Sequence, residues 1–137
     1  MKNWIAALLL APLLAFSQVS HARPSEPLQS PQQATLTPSA SGPAAIGRVH
    51  DVIISAGGKH GWHVAGDKPG ELTLHNDVRG KHEVEVNVFY DSSNVRVEYV
   101  SSDDLDYHMR DGVAYIHPKY NEWVHVLLKD IVNTSSR

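Results

Sequence analysis

The nine residues His82 to Tyr90, HEVEVNVFY, alternate strictly, and this run restricts the fold more than any other feature of the chain. A period of two sends successive side chains to opposite faces of a strand. His82, Val84, Val86, Val88 and Tyr90 share one face, and Glu83, Glu85, Asn87 and Phe89 share the other. Such a strand needs a sheet with one face covered and one face wet. After the loop Asp91 to Asn94 the pattern returns, with Val95, Val97 and Tyr99 facing in and Arg96 and Glu98 facing out. Opposite charges on the two outer faces can pair across the ladder, worth roughly a few tenths of a kcal/mol.

Two shorter strands precede this pair. Trp62 and Val64 alternate with His63, and the strand they form is the candidate open edge of the sheet. Asp67-Lys68-Pro69-Gly70 is a turn, Leu72 and Leu74 mark the next strand, and a second turn runs from Asn76 to Lys81. Helices flank the strands. Ile46, Val49, Ile53 and Ala56 recur at helical spacing after Pro43, and Gly57-Gly58 ends the helix. Ser101 to Tyr115 reads as a loop. Pro118 then fits the first position of a helix that buries Tyr120, Trp123, Val124, Leu127 and Ile131 and exposes His125, Lys129 and Asp130. The expected fold is α+β over residues 44–137: a helix, a four-stranded antiparallel meander and a second helix, in a two-layer sandwich with both helices on one sheet face.

Residues 1–22 read as a secretory signal peptide. Lys2 supplies the positive start, Ile5 to Phe16 the apolar region, and Ser20-His21-Ala22 the small residues of a cleavage site. The apolar run is shorter than the ~20 residues that span a bilayer, so no membrane span is expected. The expected location is periplasmic or secreted. Residues 23–43 hold five of the eight prolines and almost no large apolar side chain, the composition of a disordered linker. The chain has no cysteine, which removes both disulfides and a lipid anchor and leaves stability to the core. Without Lys2 the remaining 11 basic and 15 acidic side chains give a net charge of −4. That balance lacks the basic stripe nucleic acid requires.

The chain carries nine histidines, eight of them after the leader. His60, His63 and His75 are candidate ligands for Zn or Cu, although no four-ligand spacing is present. His82 lies in phase with the inward valines and His117 directly precedes the second helix. The two are expected to converge at one end of the core with Tyr90, Tyr99 and Tyr120, as a hydrogen-bonded network, a small-ligand pocket or an enzymatic histidine pair. His117 is also placed to cap its helix. The acidic run Asp103-Asp104-Leu105-Asp106 lacks the glycine spacing of a calcium loop. Neither G-x-S-x-G nor a glycine-rich phosphate loop occurs.

Trp62, Pro69-Gly70, His82 through Tyr90, Tyr99, Ser102, Leu105, Ile116-His117 and Tyr120-Asn121-x-Trp123 together form a recognisable series. From Ile46 to Ile131 the chain resembles an uncharacterised family of small exported proteins and lipoproteins of Gram-negative bacteria. The segment IH-x-x-YN-x-W is the most specific part of the likeness. The resemblance implies a fold and a compartment, and no reaction. The chain departs from that pattern in lacking the lipoprotein cysteine and in the acidity of its loop after Tyr99. The functional expectation is a non-enzymatic periplasmic binding domain for an envelope protein, a peptide or a small ligand. Metal handling through histidines and an enzyme built on His82 and His117 are the alternatives.

Overall fold

The computed structural model describes residues 24–37 and 42–137. The signal peptide read over 1–22 lies outside the described residues, as do positions 23 and 38–41 of the expected linker. The described chain runs β1 (Glu26–Pro27), β2 (Gln32–Thr35), α1 (Pro43–Lys59), β3 (Trp62–Lys68), β4 (Glu71–Val78), β5 (His82–Tyr90), β6 (Asn94–Asp103), β7 (His108–Arg110), β8 (Val113–Ile116) and α2 (Pro118–Ser135).

The class is α+β with antiparallel sheets. The expected meander β3-β4-β5-β6 is present, but it is widened to five strands in the order β2-β6-β5-β4-β3, and a second sheet has the order β1-β8-β7. Alternation decides which face is covered. Leu72, Leu74, Val84, Val86, Val88, Val95 and Val97 are buried in one core with Val49, Ile53 and Ala56 of α1 and Val124, Leu127 and Ile131 of α2. Each fully buried aliphatic side chain of this kind contributes about 1.5–3 kcal/mol. No described helix is long and apolar enough to cross a membrane.

Five local expectations are corrected. The segment read as a disordered linker supplies two strands: Gln32–Thr35 pairs with β6 in register Gln32↔Val97 to Thr35↔Asn94, and Glu26–Pro27 pairs with β8. Its few apolar residues, Leu28, Ala34 and Leu36, pack on the core, and backbone pairing supplies the rest. The segment read as a loop contains the β7–β8 hairpin. Asp111 (φ 52°) and Gly112 (φ 77°) form its two-residue turn, both in the left-handed region that a type I′ turn demands. Helix α1 continues through Gly57-Gly58. A Cβ on Gly57 would lie 3.2 Å from the Cβ of Trp62, so the missing side chain lets the helix settle onto β3 and β4. The buried stripe of α1 begins at Ala45, which leaves Ile46 exposed. Finally, Trp123 is half-buried, as is Asp130, which pairs with His60. Trp123→Ala should therefore cost about 2 kcal/mol, below the ~3–5 kcal/mol of a fully buried tryptophan, as read by urea denaturation.

Candidate functional site

The corner nominated by the sequence forms, with one absentee, and its bonds hold the framework together. His117 is the N-cap of α2. Its backbone N–H donates to Leu105 O (2.8 Å), and its ring Nδ1 accepts the N–H of Lys119 (3.1 Å). That side chain satisfies one of the orphan donors of a helix start. His82, opening β5, places Nδ1 2.8 Å from Asp104 O and its ring 6.4 Å from Trp123. The two histidines thus hold consecutive residues of one acidic loop. Tyr99 stacks on Tyr107 (4.9 Å between centroids), meets Tyr120 edge-on (5.3 Å) and shares a hydrogen bond with Ser102 (2.8 Å). Burial pushes both the Tyr99 and Tyr120 phenols up from the usual tyrosine range. Tyr120 is fully buried, and its hydroxyl finds no partner among the described residues.

Tyr90 is absent from this corner. It ends the strand that His82 begins, eight residues and about 26 Å away at strand spacing. Its ring lies against His50, 6.1 Å between centroids.

Asn121, of the same YN pair, does work the sequence did not signal. Its buried amide accepts from Gln29 N–H (2.9 Å) and donates to Pro27 O (3.0 Å) and the Glu26 carboxylate (2.9 Å), while its backbone carbonyl accepts from Gln32 Nε2 (3.2 Å). One side chain of α2 therefore fastens residues 26–29. Between them, Ile116, His117, Tyr120, Asn121 and Trp123 cap, pack and tie the domain together.

The three histidines considered as metal ligands separate. His60 closes α1 and sits 3.1 Å from Asp130 of α2. His63 and His75 are cross-strand partners of β3 and β4, and His75 is in register with Glu85, all on the sheet face away from the helices. Among the described residues, no three histidine, aspartate or glutamate side chains are grouped to hold a metal ion.

A surface depression of about 580 Å³ is lined by residues of β2, β5 and β6 and by Gly70. Two of its polar residues are already engaged: Asp91 accepts the Asn94 N–H (2.7 Å), and Arg96 pairs with Glu98 (3.2 Å) and lies over the Phe89 ring.

A different surface stands open. In the larger sheet β3 pairs with β4 alone, so its outer edge has no partner among the described residues. The other free edges are shorter, four residues in β2, three in β7 and two in β1, against seven in β3. Trp62, buried, anchors the start of β3. Near its far end Asp67 meets Nε2 of His50 on α1 at 2.8 Å. Between these anchors Val64 is 43% exposed. Ile46, His50 and Ile54 follow one another at helical i, i+4 spacing, so the face of α1 that reaches Asp67 also carries Ile46 (41% exposed) and Ile54 (36%). The helix face that meets the edge through His50 is thus an apolar seam. A register shift between Val64 and Gly66 bends the strand beyond this seam.

Comparison with protein-family models, curated proteins and solved structures finds no match.

Proposed function

We propose that this protein is an exported, non-enzymatic binding domain that takes an extended segment of a partner polypeptide as an added strand along β3. The observation that carries this reading is the seven-residue edge, open among the described residues, with Val64 exposed on it and Ile54 exposed on the α1 face that meets it through His50. An open edge presents a row of unpaired N–H and C=O groups, and only another extended backbone matches that row along its length. Main-chain bonds then supply affinity, and the apolar seam selects the side chains that alternate toward it. The signal-like leader and the likeness to small exported proteins support a periplasmic or secreted setting. The histidine–tyrosine corner, where His82 and His117 bind the loop and the start of α2, serves as scaffold in this reading.

The test is selection of unstructured peptides from a displayed random library on the purified protein. Enriched peptides should carry apolar residues at alternate positions. Val64→Glu, which places a charge in the seam of an already exposed site, should weaken them about tenfold, or about 1.4 kcal/mol, with the circular dichroism spectrum unchanged. Peptides that bind the variant equally well would contradict the reading.

A further inference from the structure

His50 joins two elements through both of its ring nitrogens. Nδ1 lies 2.9 Å from Asp51 Oδ1 on its own helix, and Nε2 lies 2.8 Å from Asp67 Oδ2 on β3. Carboxylates only accept hydrogen bonds, and a neutral imidazole has a single N–H. Both contacts are satisfied together only when the ring carries two protons. The groups that face the ring are Asp51 on α1, Asp67 on β3 and the Tyr90 ring on β5. The Tyr90 phenol is itself pushed up by burial and stays neutral while histidine titrates.

We propose that His50 is a proton-operated clasp that ties α1 to the β3–β4 tip when charged and loosens that tie when neutral. Loss of one proton turns a ring nitrogen into a lone pair facing a carboxylate oxygen, which converts an attraction into a repulsion. Asp67 is the only one of the two anions on β3, so the bond to it is the one that holds the tip, and either neutral tautomer weakens it: the bond is lost, or it keeps its proton without the charge that strengthens it. The turn it steadies is Pro69-Gly70, where Gly70 (φ 76°) accepts the Tyr90 N–H at its carbonyl (3.0 Å).

The sign of the pH effect follows from which form the fold favours. Hydrogen bonds to Asp51 first, and then to Asp67, raise the His50 pKa above the ordinary value of 6.5. The clasp's contribution to stability is then fully present below pH 6.5 and is lost as pH rises through the raised folded value. In placing the clasp beside a binding edge this inference rests on the strand-addition reading, but its readouts need no ligand.

The experiment is a pH titration of the whole protein followed by NMR, with the His50 ring protons and the backbone amides of residues 64–70 observed together. The expected result is a His50 midpoint above 6.5 that falls in Asp67→Asn, with the tip amides shifting along the same curve. In Asp67→Asn those amides should no longer follow His50. Asp51→Asn should lower the midpoint yet leave the tip amides coupled to it, which separates loss of charge from loss of the link. A His50 midpoint at or below 6.5, or tip amides that ignore its titration, would overturn the clasp. If the clasp titrates as described and no peptide is ever selected, the strand-addition reading fails alone.

Discussion

Truncating Tyr120 to alanine is expected to lower stability by about 3–5 kcal/mol, the range for removing a fully buried aromatic ring. The ring has no exposed surface, takes the edge of Tyr99 and belongs to the core that joins both helices to the sheet. Small domains hold only about 5–15 kcal/mol in total, so this variant should be partly unfolded at 37 °C. Tyr120→Phe should do the opposite. It removes a hydroxyl that is buried with no partner among the described residues, and relieving that desolvation should raise stability by about 1 kcal/mol. Urea denaturation of the pair measures both. A phenylalanine variant less stable than the native protein would mean that the hydroxyl has a partner in solution.

Asn121→Leu is the second large effect. It deletes three side-chain hydrogen bonds, to Gln29, Pro27 and Glu26, at about 1 kcal/mol each net, for a loss of about 3 kcal/mol. The location of the damage matters as much as its size. The amides of Gln32 to Thr35, paired to β6, should lose hydrogen-exchange protection well before those of β4 and β5. Uniform loss across the sheet would show that the N-terminal strands are not fastened chiefly by Asn121.

These two neighbouring residues illustrate how much of the fold was legible in the sequence. The alternation in HEVEVNVFY and in the strand after it located the sheet core, because period two has no other interpretation in a half-buried strand. The buried stripe of α2 was equally plain, apart from Trp123, which sits at the margin beside His82. The N-terminal strands were not legible. Composition counts apolar side chains, whereas this segment is held by strand pairing and by one amide some 90 residues away. The β7–β8 hairpin was legible in principle, since Asp111-Gly112 is a strong turn signal, but strands of three and four residues are too short to show a period.

The candidate site divides in the same way. His82 and His117 do hold one corner, since strand phase and a helix start both have local signatures. Tyr90 shares a face with His82, but sharing a face does not make residues neighbours along a nine-residue strand. Trp62 to Val64 could be suspected as an edge from its position at the start of the meander. The seam beside it could not, because only the long-range contact of His50 with Asp67 shows which face of α1 meets that edge. Nor did anything local connect His50 to Asp67, 17 residues apart on different elements.

The central claim is that β3 is the working surface and the histidine–tyrosine corner is scaffold. Backbone amide NMR of the purified protein with one library-selected peptide tests it most directly. The account predicts that perturbations concentrate on Trp62 to Lys68 and on Ile54, that β3 amides gain exchange protection as an outer neighbour pairs with them, and that His82, His117 and Tyr99 barely move. Perturbations centred on the loop held by His82 and His117, with β3 unchanged, would contradict it and return that corner to first place as the binding site.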